Sequence, residues 1–425
     1  MAGARLRIPN ALTHLNRDGW LLFATRFIRL FAYGALSVVL VLYLVGVGLT
    51  EPQVGLVLTL TLVGDTVVSL FLTTRADRFG RRRMLIAGAL LMAAAGAVFA
   101  STSKFWLLVL AGVIGVISPS GQEVGPFLPI EQASLSHLVT DRTRTDVFAW
   151  YTLTGAVATA LGALTAGVLT RSLLQSGWDN VSGYRTIVVM YALFGFVLAV
   201  LFSRLSRAAE SAAATARQSS ATAASLTGVH QSREVVFKLS ALFALDAFGG
   251  GFVVQSFAAY WFHLRFGIDA GTLGSIFFWA NIFAGISALL ASRLAARFGL
   301  IKTMVGTHLP SNVLLILVPL MPTLPLAIAV LLARFSISQM DVPTRQSYTM
   351  AVVAPEERAA ASGITGVART TGAAISPVFV GLMFANPLLM NWPFFIAGGL
   401  KILYDLLLYR AFVTVRPPEE QTHRA

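Results

Sequence analysis

Basic residues in this chain fall between long apolar runs, and mainly on alternate connections. Residues 75–83 read RADRFGRRR, with apolar sequence on either side. A run of about 20 apolar residues crosses a bilayer as a helix, and a Lys/Arg bias on alternate loops fixes its orientation. The pattern restricts the fold to an all-α integral membrane protein. Twelve spans are predicted, at 19–47, 53–74, 84–103, 105–131, 146–170, 184–206, 234–262, 271–292, 301–320, 324–350, 359–384 and 390–412. Of the 32 basic residues, twenty-two lie at the termini or beside connections 2–3, 4–5, 6–7, 8–9 and 10–11, and only Lys104, Arg171, Arg185 and Arg265 lie on the other side. Both termini are therefore expected in the cytoplasm. The expected location is a bacterial cytoplasmic (inner) membrane, with lipid as the surroundings and a monomer as the working unit.

Composition excludes several function classes. Only 12% of residues are charged, against about 25% in soluble domains. The net charge of +13 marks a membrane side and not a nucleic-acid partner, because the cations are spread over many connections. There is no cysteine, and the six histidines are scattered. No metal site and no cofactor are expected. Ser118 and Ser120 have no histidine nearby in sequence to act as a base, and Gly80 belongs to no phosphate-binding loop. The first apolar run lacks a cleavage signature and reads as a retained span.

An internal repeat divides the chain. Residues 129–163 and 343–377 align at an offset of 214, matching Pro129 with Pro343, Gln132 with Gln346 and Arg144 with Arg358. ADRFGRRRM at 76–84 has a weaker echo in AARFGLIKT at 295–303. The expected organisation is a six-helix bundle over 1–206, a cytoplasmic linker over 207–233 rich in Ala, Ser and Thr, and a second six-helix bundle over 234–425 that includes a cytoplasmic tail. The repeat sets Glu131 against Arg345 and, in a looser register, Arg29 against Asp246. Opposite charges at matching positions are candidates to face one another across a central cavity.

The connection after span 2 retains Asp77, Gly80, Arg81 and Arg82 in the order of the Gly-x-x-x-Asp-x-x-Gly-Arg-Lys/Arg pattern, with Thr73 at the leading glycine. In this and in its overall span pattern the chain resembles the major facilitator superfamily over essentially its whole length. The resemblance implies two pseudo-symmetric bundles working by alternating access, with spans 1, 4, 7 and 10 lining the cavity. It implies a cytoplasmic gate at Asp77 and Arg81, and more loosely at Arg78. Span 5 holds Gly155, Gly162 and Gly167 but lacks the proline of the family's antiporter motif, while Ser376-Pro377 occupies the matching place in the second half.

Charged residues inside apolar runs are costly and usually functional. Arg26 and Arg29 share a helical face in span 1, continued by Tyr33, and either snorkel to the surface or clamp an anion. Asp65 in span 2 is either a structural partner or a proton carrier. The stretch 118–131, SPSGQEVGPFLPIE, should interrupt span 4 and so mark a site at Gln122, Glu123 and Glu131, with Glu131 nearer a gate. Span 7 carries Asp246 before Gly249, Gly250 and Gly251, with Gln255 further out. Span 10 carries Arg334, Gln339, Asp341, Pro343 and Arg345, where Asp341 and Arg345 are spaced to pair and Pro343 to kink the helix. Lys401 and Asp405 in span 12 are spaced to satisfy each other. Glu123, Asp246 and Asp65 are the candidates for proton coupling, and Arg29, Arg334 and Arg345 for an anionic substrate. The expected function is secondary transport of a small organic solute coupled to protons, with a lean toward an anionic or zwitterionic metabolite. A proton-coupled exporter of toxic compounds and a non-transporting substrate sensor are the alternatives.

Overall fold

The computed structural model describes residues 12, 15–139, 141–206 and 229–414, without the side chains of 77, 141–145, 355 and 359. The termini and most of the expected linker lie outside the described residues. Helices α1 (Arg17–Gly46), α2 (Glu51–Phe79), α3 (Arg81–Ser101), α4 (Phe105–Ile114), α5 (Phe127–Leu138), α6 (Asp141–Gln175) and α7 (Asn180–Ser203) precede the gap. Helices α8 (Arg233–Gly251), α9 (Gln255–Phe266), α10 (Ala270–Phe298), α11 (Leu300–Leu317), α12 (Leu324–Phe335), α13 (Asp341–Val352), α14 (Arg358–Phe384) and α15 (Trp392–Phe412) follow it. Ten stretches are long and apolar enough to cross a membrane, one of them being α8 and α9 together. The regions expected as spans 4 and 10 are instead each built from two short helices, α4 with α5 and α12 with α13.

The interruptions have chemical causes. Between α4 and α5, Gly121 and Gly125 take φ of +69° and +79°, a region open to glycine, and Pro119 and Pro126 lack the N–H that a continuing helix needs. The carbonyls freed by the break find donors. Tyr191 donates to Val116 O, Tyr33 to Val124 O and Thr159 to Gly121 O. Between α12 and α13 the chain turns at 336–340, before Pro343. Pro343 therefore sits in the first turn of α13, where its missing N–H costs no bond, and the predicted kink is replaced by a break.

Packing sets α1 apart. Its apolar window is 83% buried, against 39–50% for the other candidate spans. It lies along α6, α7 and α9. Leu193, Phe196, Val67 and Trp106 are exposed on the outer helices and form the apolar face a lipid solvent requires. Helices α8, α14 and α15 pack together, as do α11 and α15. Contacts of α2 with α14 and of α6 with α10 join segments on either side of the gap.

These two contacts are close because glycine faces glycine. A Cβ on Gly381 would lie 2.4 Å from Glu51 O and 2.9 Å from Gly55 Cα, and one on Gly274 would lie 2.8 Å from Gly167 Cα. Both crossings sit near the end of the bundle where α1 turns into α2. Polar bonds close the same end. Gln255 Nε2 donates to Ser37 Oγ at 2.8 Å, Ser256 Oγ to Pro119 O at 2.6 Å, and Tyr260 OH to Glu51 Oε1 at 3.0 Å. Arg171 pairs with Asp269 at 3.1 Å. Toward the opposite end α14 loosens: Gly363 and Gly366 have nothing within 4 Å, whereas Gly372 abuts Ala244 O. The interior is sealed at the end where α1 turns into α2.

Candidate functional site

Two charged clusters flank the interior. In the first, Arg29 of α1 is fully buried and holds Glu131 of α5 through two bonds of 2.6 Å. Such a fork-to-fork pair is the strongest arrangement for these groups. Glu131 also accepts from Tyr151 OH at 2.5 Å and Thr25 Oγ1 at 3.1 Å. Glu123, on the break between α4 and α5, accepts from Arg26 at 2.5 Å and from Arg29 at 3.2 and 3.3 Å. Its side chain is 18% exposed, so this is the wet edge of the cluster. The Arg26 guanidinium lies 4.4 Å over the Tyr151 ring. It fits against α6 because residue 155 is glycine: a Cβ there would come within 2.9 Å of Arg26 Nε. The two arginines therefore do not snorkel. Two carboxylates balance them inside the protein.

In the second cluster Asp246 of α8 receives Lys401 Nζ at 2.6 Å and Arg345 at 3.2 Å. Arg345 also binds Asp341 at 2.9 Å, the predicted i,i+4 pair. The predicted pairing of Lys401 with Asp405 is replaced by another. Lys401 crosses to α8, passing the chain where a Cβ on Gly249 would lie 3.2 Å from its Cγ. The glycine run of span 7 thus makes room for a neighbouring lysine. Asp405 instead meets His308 Nδ1 at 2.8 Å and Asn312 Nδ2 at 3.0 Å.

The expected pairing of Arg29 with Asp246, and of Glu131 with Arg345, across the interior is not formed. Each charge is satisfied within its own cluster, where desolvated partners lie within hydrogen-bond reach. The repeat survives in another form. Arg29–Glu131 and Asp246–Arg345 are matching ion pairs with the charges exchanged. Gly80 and Gly299, matched in the weaker echo, likewise both take positive φ, at +100° and +87°, where one helix ends and the next begins.

The remaining candidates divide by partner. Among the described residues no carboxylate pairs with Arg334 or Arg369, and Arg334 Nε is buried without a partner. Arg334 lies at the end of α12, its guanidinium 5.0 Å from the Phe335 ring. Asp65 is buried, among the described residues no cation pairs with it, and Ser69 Oγ is 3.4 Å from it. Gln122 is exposed, and its carbonyl accepts from Ser118. Tyr33 braces the α4–α5 break and stacks on Tyr191. Gln255 belongs to the sealed end, where Asn281 also donates to it. The backbone N–H of Gln339 donates to Ser287. At the proposed gate, Arg78 is exposed beside Phe79 and Arg81 is buried at the start of α3. The Asp77 side chain lies outside the described residues. Sequence reasoning did not single out His308 and Asn312. Their signal was present as two polar residues four apart on one face of an apolar span.

The profile of the Major Facilitator Superfamily matches residues 22–265 and 239–425. An uncharacterized membrane protein of Saccharomyces cerevisiae, YJR124C, is 32% identical over 428 residues, covering 94% of this chain and 95% of that protein. Among solved structures, the nucleoside transporter NupG superposes with a TM-score of 0.70 at 13% identity, covering 93% of this chain and 99% of that one. A bacterial homolog of the human lysosomal transporter Spinster, in an inward-facing and occupied conformation, superposes with a TM-score of 0.69 at 16% identity, covering 93% and 96%.

Proposed function

The chain belongs to the major facilitator superfamily, and we propose that it is a proton-coupled secondary transporter for a small organic anion or zwitterion. It is a multi-pass membrane transporter and not an enzyme. In this reading the paired short helices complete twelve spans, in bundles over 1–206 and 234–425 joined by a cytoplasmic linker. The basic-residue bias then puts the sealed end outside and the opposite end in the cytoplasm. The protein works as a monomer in lipid, alternating between this arrangement, which we read as inward-open, and one in which the glycine crossings part.

One observation carries the substrate class. The buried carboxylates of both clusters have cationic partners at ion-pair distance, whereas among the described residues neither Arg334 nor Arg369 is in an ion pair. An interior cation held in no ion pair is costly and is relieved by an anionic solute. A guanidinium also matches carboxylate and phosphate geometry. Arg29 and Arg345, already held by two carboxylates each, support the site and exchange partners during transport. Asp65, a buried carboxyl without a cation, and Glu123, at the wet edge, are the groups through which protons enter the cycle, with Asp246 reporting to the second cluster. Asp77, Arg78, Gly80 and Arg81 form the gate that closes the cytoplasmic end, with Glu131 behind it.

A thermal-shift screen of the purified protein against mixed metabolites and drugs tests this reading, since a ligand stabilises the state it binds. Hits among carboxylates or phosphates, lost in Arg334→Gln, are expected. Hits confined to neutral or cationic drugs would overturn the anion assignment.

A further inference from the structure

His308 lies between two carboxylates. Its Nδ1 is 2.8 Å from Asp405 Oδ1, and its Nε2 is 3.8 Å from Asp246 Oδ1. The ring is 5% exposed. Asn312 holds the other oxygen of Asp405 at 3.0 Å, which fixes the carboxyl plane against the ring. A carboxylate only accepts, so the Nδ1–Asp405 contact takes up one proton, shared by that pair. Nε2 then faces Asp246 with its lone pair. A second proton at Nε2 turns the ring into a cation with a carboxylate on each side.

The charges around the ring make such a proton consequential. Asp246 of α8 faces it, as do Tyr404 and Asp405 of α15 and Asn312 of its own helix; behind Asp246 stand Lys401 of α15, Asp341 and Arg345 of α13 and Arg369 of α14. With the ring neutral, the three carboxylates balance the three cations. A proton on Nε2 leaves one positive charge in excess, in surroundings where charge is poorly screened. Asp246 then has three cations competing for two oxygens. The longest existing bond, Arg345 to Asp246 at 3.2 Å, is the one that yields. Arg345 belongs to α13, the helix beyond the break, so its release reaches the lining of the interior.

We propose that His308 and Asp405 form a proton-binding site behind the transport cavity, and that Asp246 relays its occupancy to Arg345 and α13. The proposal rests on the proton-coupled transport reading and names a carrier outside the groups assigned there. Histidine is the side chain whose charge changes most readily near neutral pH, which suits it to this part.

The test uses the full chain in detergent with 15N-labelled histidine, titrated from pH 5 to 9. The resonance absent in His308→Gln is expected to report one proton bound at His308 within that range. Asp405→Asn, which keeps the ring, should weaken that binding about tenfold or more, because it removes the adjacent negative charge. It identifies the same resonance should His308→Gln fail to fold. Spin labels at Gln175→Cys and Leu388→Cys, in a chain with no native cysteine, measure the width of the sealed end. Wild type should change its distance distribution across the His308 transition, and His308→Gln should not. A ring whose charge is constant from pH 5 to 9 overturns the proposal, as does a full pH response in His308→Gln. Solute transport with a non-titrating ring would defeat this inference alone. A titrating ring in a protein that moves no solute would defeat the transport reading alone.

Discussion

Replacing Glu131 by Gln should destabilise the protein by about 3 kcal/mol, the lower end of the cost of breaking a buried ion pair. Arg29 has no exposure and gives two bonds of 2.6 Å to this carboxylate. Without the charge, Arg26 and Arg29 share Glu123 alone, and the cluster carries a net positive charge. The lower end applies because the amide oxygen still accepts one of the two bonds and Glu123 remains at 3.2 Å. In SDS titrations of mixed-micelle samples the loss is about a hundredfold in the unfolding equilibrium. The double variant Arg29→Met/Glu131→Leu should recover most of it, because it removes both charges and leaves Arg26 with Glu123. A Glu131→Gln protein within about 0.5 kcal/mol of wild type, or a double variant as unstable as the single, would refute the reasoning that this pair is a desolvated unit.

Gly381→Val should hold the sealed end apart, since even a Cβ there meets backbone at 2.4 Å; spin labels at Gln175→Cys and Leu388→Cys should report a longer distance than in wild type. Glu357 accepts backbone N–H bonds from His230, Gln231 and Ser232 at 2.6–2.8 Å, and these hold its carboxyl down from the ordinary 4.5 to about 2. Its folded-state value is the lower one, so this stabilisation is complete above pH 4.5 and fades as the pH falls toward 2. Hydrogen exchange at those three amides should thus be protected at neutral pH, and Glu357→Gln should speed it about tenfold. A cysteine at Ser219 should resist a membrane-impermeant thiol reagent in intact cells, and labelling from outside would reverse the orientation.

Much of the architecture was legible because membrane solvation is a severe constraint. Apolar length located the helices, and proline with glycine at 119–129 located the break in span 4. Asp341 and Arg345 were legible because helical spacing alone brings them together. Lys401 shows where this reasoning stops. Asp405 stands at the same favourable spacing, but Gly249 and Gly250 open a path to Asp246 that belongs to another helix. Arg29 shows a second limit. A repeat reveals which positions correspond, yet it does not say whether charges pair within a repeat or between repeats. His308 lies 97 residues from Asp405, and no local pattern encodes that contact.

The central claim is coupled transport of an anion through the space between the clusters. Its most direct measurement is accumulation, in sealed proteoliposomes under an imposed pH gradient, of the carboxylate or phosphate compound giving the largest thermal shift. Accumulation above the equilibrated concentration, abolished by collapsing the gradient and lost in Arg334→Gln, is the predicted result. Uptake that only equilibrates, or that is unchanged in Arg334→Gln, would contradict it.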